Sequence, residues 1–310
     1  MTMLKSDIQK LLKEKGIWSK KKLGQNFLIS QKKLNKIVEA AQLSKQDIVL
    51  EIGPGLGILT KELALRAKKV IAIEKDAKMV EILQEMLVEW NIKNVEVAQG
   101  DILKIQNAKR KTQNNSAKLK TTNYKLQTTN YKLIANLPYN IATKVITMFL
   151  ESDNPPETMV LMVQKEVGER ICEGFLIPKS SKKSAKLIKM SGLAIFCQFY
   201  ADVKIIASVS NKSFWPCPKV DSVILKILPT QKNLSKINKD LFFKIVKAGF
   251  SHPRKQLAKN FKKNLGIASE QVEKWLLKNN IKPNQRAESL RLNDWKELAK
   301  SYKNGNYLQG

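Results

Sequence analysis

Short apolar runs alternate with segments of helical period in the first half of the chain. Apolar residues at helical spacing follow Ser30 and end at Ala41, and the run 48–52 has the length of a buried strand. Three glycines within 53–57 then interrupt the pattern, before a second helical segment and the apolar run 70–73. This order of strand, helix and strand predicts a βαβ unit with parallel strands.

The alternation continues as far as residue 163. The elements that it predicts are a helix over 76–90, strands over 95–97 and 133–135, a helix containing Ile141, Val145 and Phe149, and a strand over 159–163. Two more strands, 203–209 and 223–228, follow without room for a crossover helix between them, so we expect an antiparallel pair at the edge of the sheet. The fold class is therefore α/β, with helices on both faces of a mainly parallel sheet.

The two ends of the chain differ from this central region. Beyond Pro229 the apolar spacing is helical throughout, which predicts a small all-α domain over 231–310. Residues 1–22 contain seven lysines against Asp7 and Glu14, and we interpret them as a mobile or marginally helical basic arm ahead of the fold. The α/β domain is thus expected over 23–230.

Two lysine-rich segments interrupt the α/β pattern. Residues 104–132 hold eight basic residues and no acid, and include the tandem repeat KLKTTNY-KLQTTNY at 118–131. Residues 176–190 hold five lysines and no acid. Since neither has a periodic apolar face, we expect solvated basic insertions, with RNA contact as the alternative.

Composition narrows the class of partner and of chemistry. Lys and Arg number 56 against 27 acidic residues, a net charge of +29 that favours a polyanion such as nucleic acid. The single histidine, His252, excludes a His₃ metal site and argues against a Ser-His-Asp triad. Three cysteines without a CxxC spacing indicate neither a disulfide framework nor a zinc site. With no apolar run of 18 residues and no signal peptide, a cytoplasmic protein is expected.

A glycine-rich loop and two carboxylates have the spacing of a nucleoside-binding site. EIGPGLG at 51–57 lies between a strand and a helix, where glycine lets the backbone approach a ligand. Glu74 ends the next strand and could accept both hydroxyls of a ribose, in S-adenosylmethionine or in NAD. Asp101 follows the next strand, 95–97, and could accept an adenine amine or cap a helix. A glycine turn with a surface glutamate remains the alternative.

The segment Asn136-Leu137-Pro138-Tyr139 follows the strand 133–135 and suits chemistry on an adenine amine. The lone pair of that amine is delocalised into the ring, so acceptors for both its protons would favour a pyramidal, nucleophilic nitrogen. The Asn136 side-chain oxygen and a carbonyl at Leu137 or Pro138 could be these acceptors. Pro138 stiffens the loop, and Tyr139 offers a face on which a flipped base can stack.

With these motifs, the chain resembles the KsgA (RsmA) family of small-subunit rRNA adenine dimethyltransferases over nearly its whole length. The matching stretches are LGQNFL (23–28), EIGPGLGILT (51–60), IEKD (73–76), GDIL (100–103), ANLPYNIAT (135–143), QKEVGERI (164–171), SFWPCPKVDSVIL (213–225), FSHPRKQLAKNF (250–261) and QRAESLRLNDW (285–295). The resemblance implies a class I, Rossmann-like methyltransferase that uses S-adenosylmethionine. Its implied substrate is a pair of adjacent adenosines in the 3′-terminal hairpin of 16S rRNA, within the immature small subunit.

The resemblance also assigns roles to residues. Those implied to contact the cofactor are Gln25, Asn26, Leu28, Gly53, Gly55, Glu74, Lys75, Asp101, Ile102 and Asn136. Those implied to act on the target base are Asn136, Leu137, Pro138, Tyr139 and Phe214, the last as a second stacking wall. Arg254, Lys255 and Lys259 are interpreted as RNA contacts, on a basic helix.

The expected reaction is in-line attack of adenine N6 on the sulfonium methyl, with no metal, no covalent intermediate and no general base, in a monomeric enzyme. The main departures from the family are HPRK, where adjacent arginines are usual, and a longer segment after residue 171. Two alternatives remain: a 23S rRNA adenine methyltransferase of the macrolide-resistance type, and a non-catalytic RNA-binding assembly factor. Methylation of DNA adenine is not excluded by the motifs alone.

Overall fold

A computed structural model describes residues 5–16, 26–104, 130–173, 189–230 and 237–302 of the chain. The chain divides into two compact units. The first comprises Met1–Gly168 and Lys204–Pro229, and the second comprises Glu169–Val203 and Thr230–Gly310.

Twenty helices and strands are described in these ranges, besides short 3₁₀ turns. The strands are β1 (Phe27–Leu28), β2 (Ile48–Ile52), β3 (Lys69–Glu74), β4 (Val95–Gln99), β5 (Lys132–Asn136), β6 (Thr158–Gln164), β7 (Ala201–Val209), β8 (Phe214–Trp215) and β9 (Ser222–Pro229). The helices are α1 (Lys5–Glu14), α2 (Gln31–Ala41), α3 (Ile58–Ala64), α4 (Ala77–Glu89), α5 (Ala142–Leu150), α6 (Lys165–Ile171), α7 (Gly192–Tyr200), α8 (Lys239–Gly249), α9 (Leu257–Leu265), α10 (Ser269–Lys278) and α11 (Leu292–Ser301).

Seven strands form one sheet in the order β4-β3-β2-β5-β6-β9-β7. The ladders among β4, β3, β2, β5 and β6 are all parallel. β9 runs antiparallel to β6, with Leu225 opposite Leu161, and β7 lies outermost beside β9. The α/β fold class and the pair of strands that closes this side of the sheet are confirmed.

The central strands are mainly apolar because both faces of the sheet are covered. Residues 159–163 of β6 have no exposed surface, which is typical of a buried parallel strand. On one face, Leu34 and Ile37 of α2 pack in one apolar cluster with Ile134 and Val160 of the sheet. The helical spacing read after Ser30 thus corresponds to the buried side of α2.

The N-terminal segment is the first difference from the sequence prediction. Lys5–Glu14 forms the helix α1, whose Ile8 and Leu12 are buried in a cluster with Phe27, Met79 and Ile82. The helical alternative is confirmed for these residues, but the expectation that they lie ahead of the fold is wrong, because α1 packs against α4. The high lysine content of residues 1–22 made the amphipathic pattern hard to recognise. In that pattern Ile8 and Leu12, at positions i and i+4, share one side of the helix.

The second difference concerns the domain boundary. Glu169–Val203 clusters with the C-terminal helices rather than with the sheet, whereas the sequence was divided at residue 230. The helix α7 supplies the physical reason, since Phe199 stacks on Phe242 of α8 with ring centroids 4.4 Å apart. The C-terminal unit is therefore built from two separate stretches of chain.

The described residues do not include 105–129 and 174–188, and so leave out most of the two lysine-rich insertions. They also leave out 1–4 and 17–25, which include much of the predicted arm. The end of the tandem repeat is described, and there the prediction of a solvated loop fails. Tyr131 is buried and its hydroxyl donates to the carbonyl of Asn154 at 3.0 Å. Among the helices in the ranges given above, none combines the length and the hydropathy needed to cross a bilayer.

We expect Leu12→Ala to weaken the docking of α1 on α4 by about 2 to 4 kcal/mol, because it leaves a cavity among buried apolar side chains. Amide hydrogen exchange within α1 should then accelerate by about 30-fold or more. Lys10→Ala, on the exposed side of the same helix, is the matched control and should change exchange by less than about threefold. Equal exchange in the two variants would show that α1 is not held by this contact.

Candidate active site

Four loops meet in one cavity at the carboxyl ends of neighbouring parallel strands. They follow β2, β3, β4 and β5, and β1 and Phe214 of β8 lie against the same cavity. The sequence-predicted residues that line it are Asn26, Leu28, Gly53, Gly55, Glu74, Lys75, Asp101, Ile102, Asn136, Leu137, Pro138, Tyr139 and Phe214. The remaining one, Gln25, lies outside the described residues. The structure therefore brings all the described members of the predicted set together.

The glycine-rich loop after β2 requires the left-handed region of backbone space. Gly53 has φ +68° and its N–H donates to the carbonyl of Ile73 at 2.9 Å. A Cβ on Gly53 would lie 3.7 Å from Pro138, which is an ordinary contact distance. The preference for glycine therefore comes from the positive φ with which the loop leaves β2, and the missing side chain keeps the space beside Pro138 open.

Glu74 is held by backbone donors at the end of β3. Its Oε1 accepts from the N–H groups of Lys75 at 2.7 Å and Asp76 at 2.9 Å, while among the described residues Oε2 accepts one longer bond, 3.3 Å, from Gly55. Burial raises the pKa of this carboxyl, and the three N–H donors partly offset that effect. Oε2 is therefore the oxygen with more capacity to accept ligand hydroxyls.

Asp101 follows β4 and makes two kinds of contact. Its Oδ1 accepts from the N–H of Leu103 at 3.1 Å, in a helical turn that begins at Ile102, so the capping role considered from the sequence is present. Its Oδ2 lies 3.0 Å from Nζ of Lys75. Because the Lys75 side chain is 63% exposed, this ion pair is screened by solvent and contributes little to stability.

The loop Asn136–Tyr139 presents the acceptors that the sequence suggested, with one refinement. The Asn136 amide nitrogen donates to the carbonyl of Asn26 at 3.2 Å, which orients the amide oxygen away from that carbonyl. The Pro138 carbonyl already accepts from the N–H of Ile141 at 3.1 Å. Within the described part of the chain the Leu137 carbonyl accepts no hydrogen bond, so it is the better second acceptor.

The two aromatic residues of the site differ in environment. Tyr139 is half-buried, whereas Phe214 is only 3% exposed and belongs to the apolar cluster that contains Leu28. Phe214 is placed by the pairing of β1 with β8, in which Leu28 lies opposite Phe214. Phe214 thus lines the cavity and packs in the core at once.

Glu51 is a site residue that the sequence analysis missed. It lines the cavity, is 1% exposed, and its Oε2 has no hydrogen-bond partner among the described residues. Burial raises the pKa of this carboxyl to about 8; the nearby Thr60 hydroxyl opposes that shift and the charge of Glu74 adds to it. The available signal was a single charged residue inside the apolar run 48–52, where an unpaired carboxylate is costly.

The predicted RNA contacts lie in the C-terminal unit, around a second cavity. Lys259 is on α9, whereas Arg254 and Lys255 precede that helix, so the expectation of one basic helix is wrong for these two. Lys263 and Arg286, which the sequence analysis did not select, line the same cavity. None of its nine lining residues is acidic, which favours an anionic ligand.

Within the described ranges, no three His, Cys, Asp or Glu side chains are grouped so that they could hold a metal ion.

Comparison with known proteins extends this geometry. The family model for ribosomal RNA adenine dimethylases matches residues 18–304. The chain belongs to the ribosomal RNA adenine dimethylase family. It is 36% identical to the ribosomal RNA small subunit methyltransferase A of Dehalococcoides mccartyi, over 92% of this chain and 88% of that protein.

Two solved structures are similar over most of the chain. A dimethyladenosine transferase from Plasmodium falciparum is 28% identical with a TM-score of 0.64, covering 88% of this chain and 95% of the other. The 23S rRNA methyltransferase ErmE is 23% identical with a TM-score of 0.66, covering 89% and 98%. The likeness to ErmE concerns the fold alone. As a member of this family, the protein has the α/β methyltransferase fold that the sequence pattern predicted.

Glu51 makes the stability of the enzyme depend on pH in a defined direction. Because burial raises the pKa of this carboxyl from 4.5 to about 8, the folded state holds a proton that the unfolded state releases. This contribution to stability is fully present below pH 4.5 and is lost as pH rises to 8. We expect Glu51→Gln to unfold like wild type at pH 4.5 and to be more stable by up to a few kcal/mol at pH 8.

Urea unfolding of both proteins at a series of pH values measures this difference. Glu81→Gln, at an exposed position of α4, is the matched control and should show no such trend. A gap between Glu51→Gln and wild type that stayed constant from pH 4.5 to 8 would contradict the burial of an uncompensated carboxyl.

Proposed function

We propose that this protein dimethylates the N6 atoms of two adjacent adenosines in the 3′-terminal hairpin of 16S rRNA, with S-adenosylmethionine as methyl donor, during maturation of the small ribosomal subunit. The single observation that carries the proposal is the loop Asn136–Tyr139. It combines an oriented side-chain oxygen, an available carbonyl and a half-buried aromatic ring at the wall of a nucleoside-sized cavity.

The residues of the first cavity fit S-adenosylmethionine. Glu74 Oε2 would accept from the ribose, Asp101 from the adenine amine, and the space beside Gly53 would admit the methionine part. Glu51, whose Oε2 has no partner within the described residues, would face the ammonium of that part, since a buried carboxylate is stabilised by an opposite charge. When bound, the cofactor supplies an electrophilic methyl group that is activated by its positive sulfur.

The chain's own contribution to the reaction is positioning. The Asn136 oxygen and the Leu137 carbonyl would accept the two N6 protons of the target adenine and direct its lone pair into the cavity. Tyr139 would hold the base by stacking, which is worth about 1 to 3 kcal/mol per base. Orientation of two reactants can account for several kcal/mol of a barrier. No general base is needed, because the proton leaves after the nitrogen has become positively charged.

The small subunit is the preferred source of the adenosines. The similarity to the Dehalococcoides mccartyi small subunit methyltransferase A covers nine-tenths of this chain, whereas the likeness to ErmE is at 23% identity. Intact Glu74, Asp101 and Asn136 in one cavity support a catalytic protein over a non-catalytic assembly factor. Arg254, Lys255 and Lys259 would contact RNA phosphates, together with Lys263 and Arg286.

Methyl transfer from labelled S-adenosylmethionine to small subunits that lack the modification tests the proposal. Large subunits and naked DNA serve as parallel substrates, and the products are identified by nucleoside analysis. We expect N6,N6-dimethyladenosine in small-subunit rRNA alone, and a loss of about 100-fold in kcat for Asn136→Ala, as is typical for a preorganised hydrogen bond at a reacting centre. Label in the large subunit, or cofactor binding without transfer, would overturn the proposal in favour of the two alternatives.

The second cavity leads to an expectation about salt. Each phosphate contact that is lost should lower the slope of log affinity against log salt concentration by about 0.7 to 0.9. We expect Lys259→Ala and Arg286→Ala each to reduce the slope for small-subunit binding by about that amount, and to leave affinity for S-adenosylmethionine unchanged. Lys278→Ala, an exposed residue of α10 that does not line the cavity, is the control. An unchanged slope for both variants would remove the cavity from the RNA interface.

A further inference from the structure

A buried hydroxyl lies behind the aromatic wall of the cavity. Ser222 is the first residue of β9, opposite Gln164 at the carboxyl end of β6, and it has no exposed surface. Its Oγ lies 2.8 Å from the Tyr139 hydroxyl. A hydroxyl buried in a sheet needs a partner, and Tyr139 is the one that the structure provides.

The same hydrogen bond that satisfies the Ser222 hydroxyl also restrains the Tyr139 ring. The phenol is half-buried, and burial is the main cause that raises its pKa, so its hydroxyl stays neutral and can donate or accept. A tyrosine ring that is attached at both its Cβ and its hydroxyl has a fixed tilt, whereas one attached only at Cβ can rotate about χ1 and χ2.

Ser222 is itself held by the loop that precedes it. Residues 210–221 connect β7 to β9 and carry Phe214. The Asn211 N–H donates to Oδ1 of Asp221 at 3.0 Å, and the Lys165 N–H donates to the Asp221 carbonyl at 2.9 Å. Both ends of the loop are thereby fastened to each other and to the end of β6, immediately before Ser222.

The two aromatic walls of the cavity are therefore connected through one loop. Phe214 lies within the loop and is fixed by the pairing of β8 with β1. Tyr139 comes from a different loop, after β5, and its hydroxyl is hydrogen-bonded to Ser222, the residue that directly follows the Phe214 loop. The hydrogen bond between Tyr139 and Ser222 thus connects the Tyr139 loop to the end of the Phe214 loop.

We propose that Ser222 is a positioning residue for the target adenosine. Its hydroxyl fixes the tilt of the Tyr139 ring relative to Phe214, and so sets the width of the slot that receives the base. The inference deepens the proposed function and rests on it for its catalytic readout. Ser222 does not touch the reacting atoms in this role, and acts only through Tyr139.

The consequence is a selective loss of transfer. Without the hydrogen bond the base would stack on a mobile ring, so the N6 atom would be aligned less often while the cofactor residues keep their places. A neutral hydrogen bond contributes modestly, and we expect Ser222→Ala and Tyr139→Phe each to lower kcat/KM for small subunits by about three- to tenfold. The Kd for S-adenosylmethionine should stay within about twofold of wild type.

A double-mutant cycle tests whether the two hydroxyls act as one. The cycle comprises wild type, Ser222→Ala, Tyr139→Phe and the double variant, with Ser222→Thr to restore the hydroxyl and Ser208→Ala, at an exposed position of β7, as the matched control. We expect the double variant to be no worse than Tyr139→Phe alone, Ser222→Thr to recover most of the activity, and Ser208→Ala to behave as wild type. Losses that multiply, or a rise in the cofactor Kd that parallels the loss of activity, would overturn the proposal.

A readout without catalysis separates this proposal from the proposed function. In protein labelled with 3-fluorotyrosine, the ¹⁹F resonance of Tyr139 is identified by its disappearance in Tyr139→Phe. We expect Ser222→Ala to shift this resonance and to increase the mobility of the ring, and Ser222→Thr to leave it near its wild-type position. An unchanged resonance in Ser222→Ala would overturn the positioning role even if methyl transfer is confirmed. If the resonance shifts in Ser222→Ala but the wild-type protein transfers no methyl group, the contact between Ser222 and Tyr139 is supported and the proposed function alone is overturned.

Discussion

The parallel pairing of β4, β3, β2, β5 and β6 is the constraint on which the site depends. Parallel strands place all their carboxyl ends at one edge, so that the loops after them converge. Residues 51, 74, 101 and 136 are separated by tens of residues in the chain, yet each lies within two residues of the carboxyl end of a strand, and all line one cavity. The pairing register of the strands thus brings the functional residues together. The composition of each loop can differ without disturbing the sheet.

The charge distribution is opposite at the two cavities. In a chain of net charge +29, the cavity at the sheet edge concentrates carboxylates: Glu51 and Glu74 are nearly buried, and Asp101 lies beside them. The cavity of the C-terminal unit collects five cations and no acid. The first cavity would therefore favour a positively charged ligand, and the second would favour a polyanion.

Sequence periodicity located the elements that are buried on one or both faces, because burial of a face produces the periodic apolar pattern from which the element is predicted. The boundaries of β2, α4 and β6 agree with it to within two residues. It failed where local composition obscured the pattern, as in the lysine-rich α1, and where contacts between distant residues decide the outcome, as in the joining of α7 to the C-terminal helices. For the site, residue types and motif spacing named the right loops. They could not show that the Ile141 N–H donates to the Pro138 carbonyl, because that hydrogen bond depends on the turn geometry.

Glu51 and Ser222 illustrate what only the folded chain reveals. Each is a polar residue on a strand whose neighbours are buried, and sequence alone gives no reason to prefer a ligand-facing role over a hydrogen bond within the core. The structure distinguishes them by their partners. Ser222 has the Tyr139 hydroxyl at 2.8 Å, so its burial is compensated within the protein. Glu51 has no partner for Oε2 among the described residues, and the compensation it lacks is of the kind that a cationic ligand supplies. Ser222 thus holds the wall of the site in shape, whereas Glu51 lines the cavity at a place where a cationic ligand would compensate its burial.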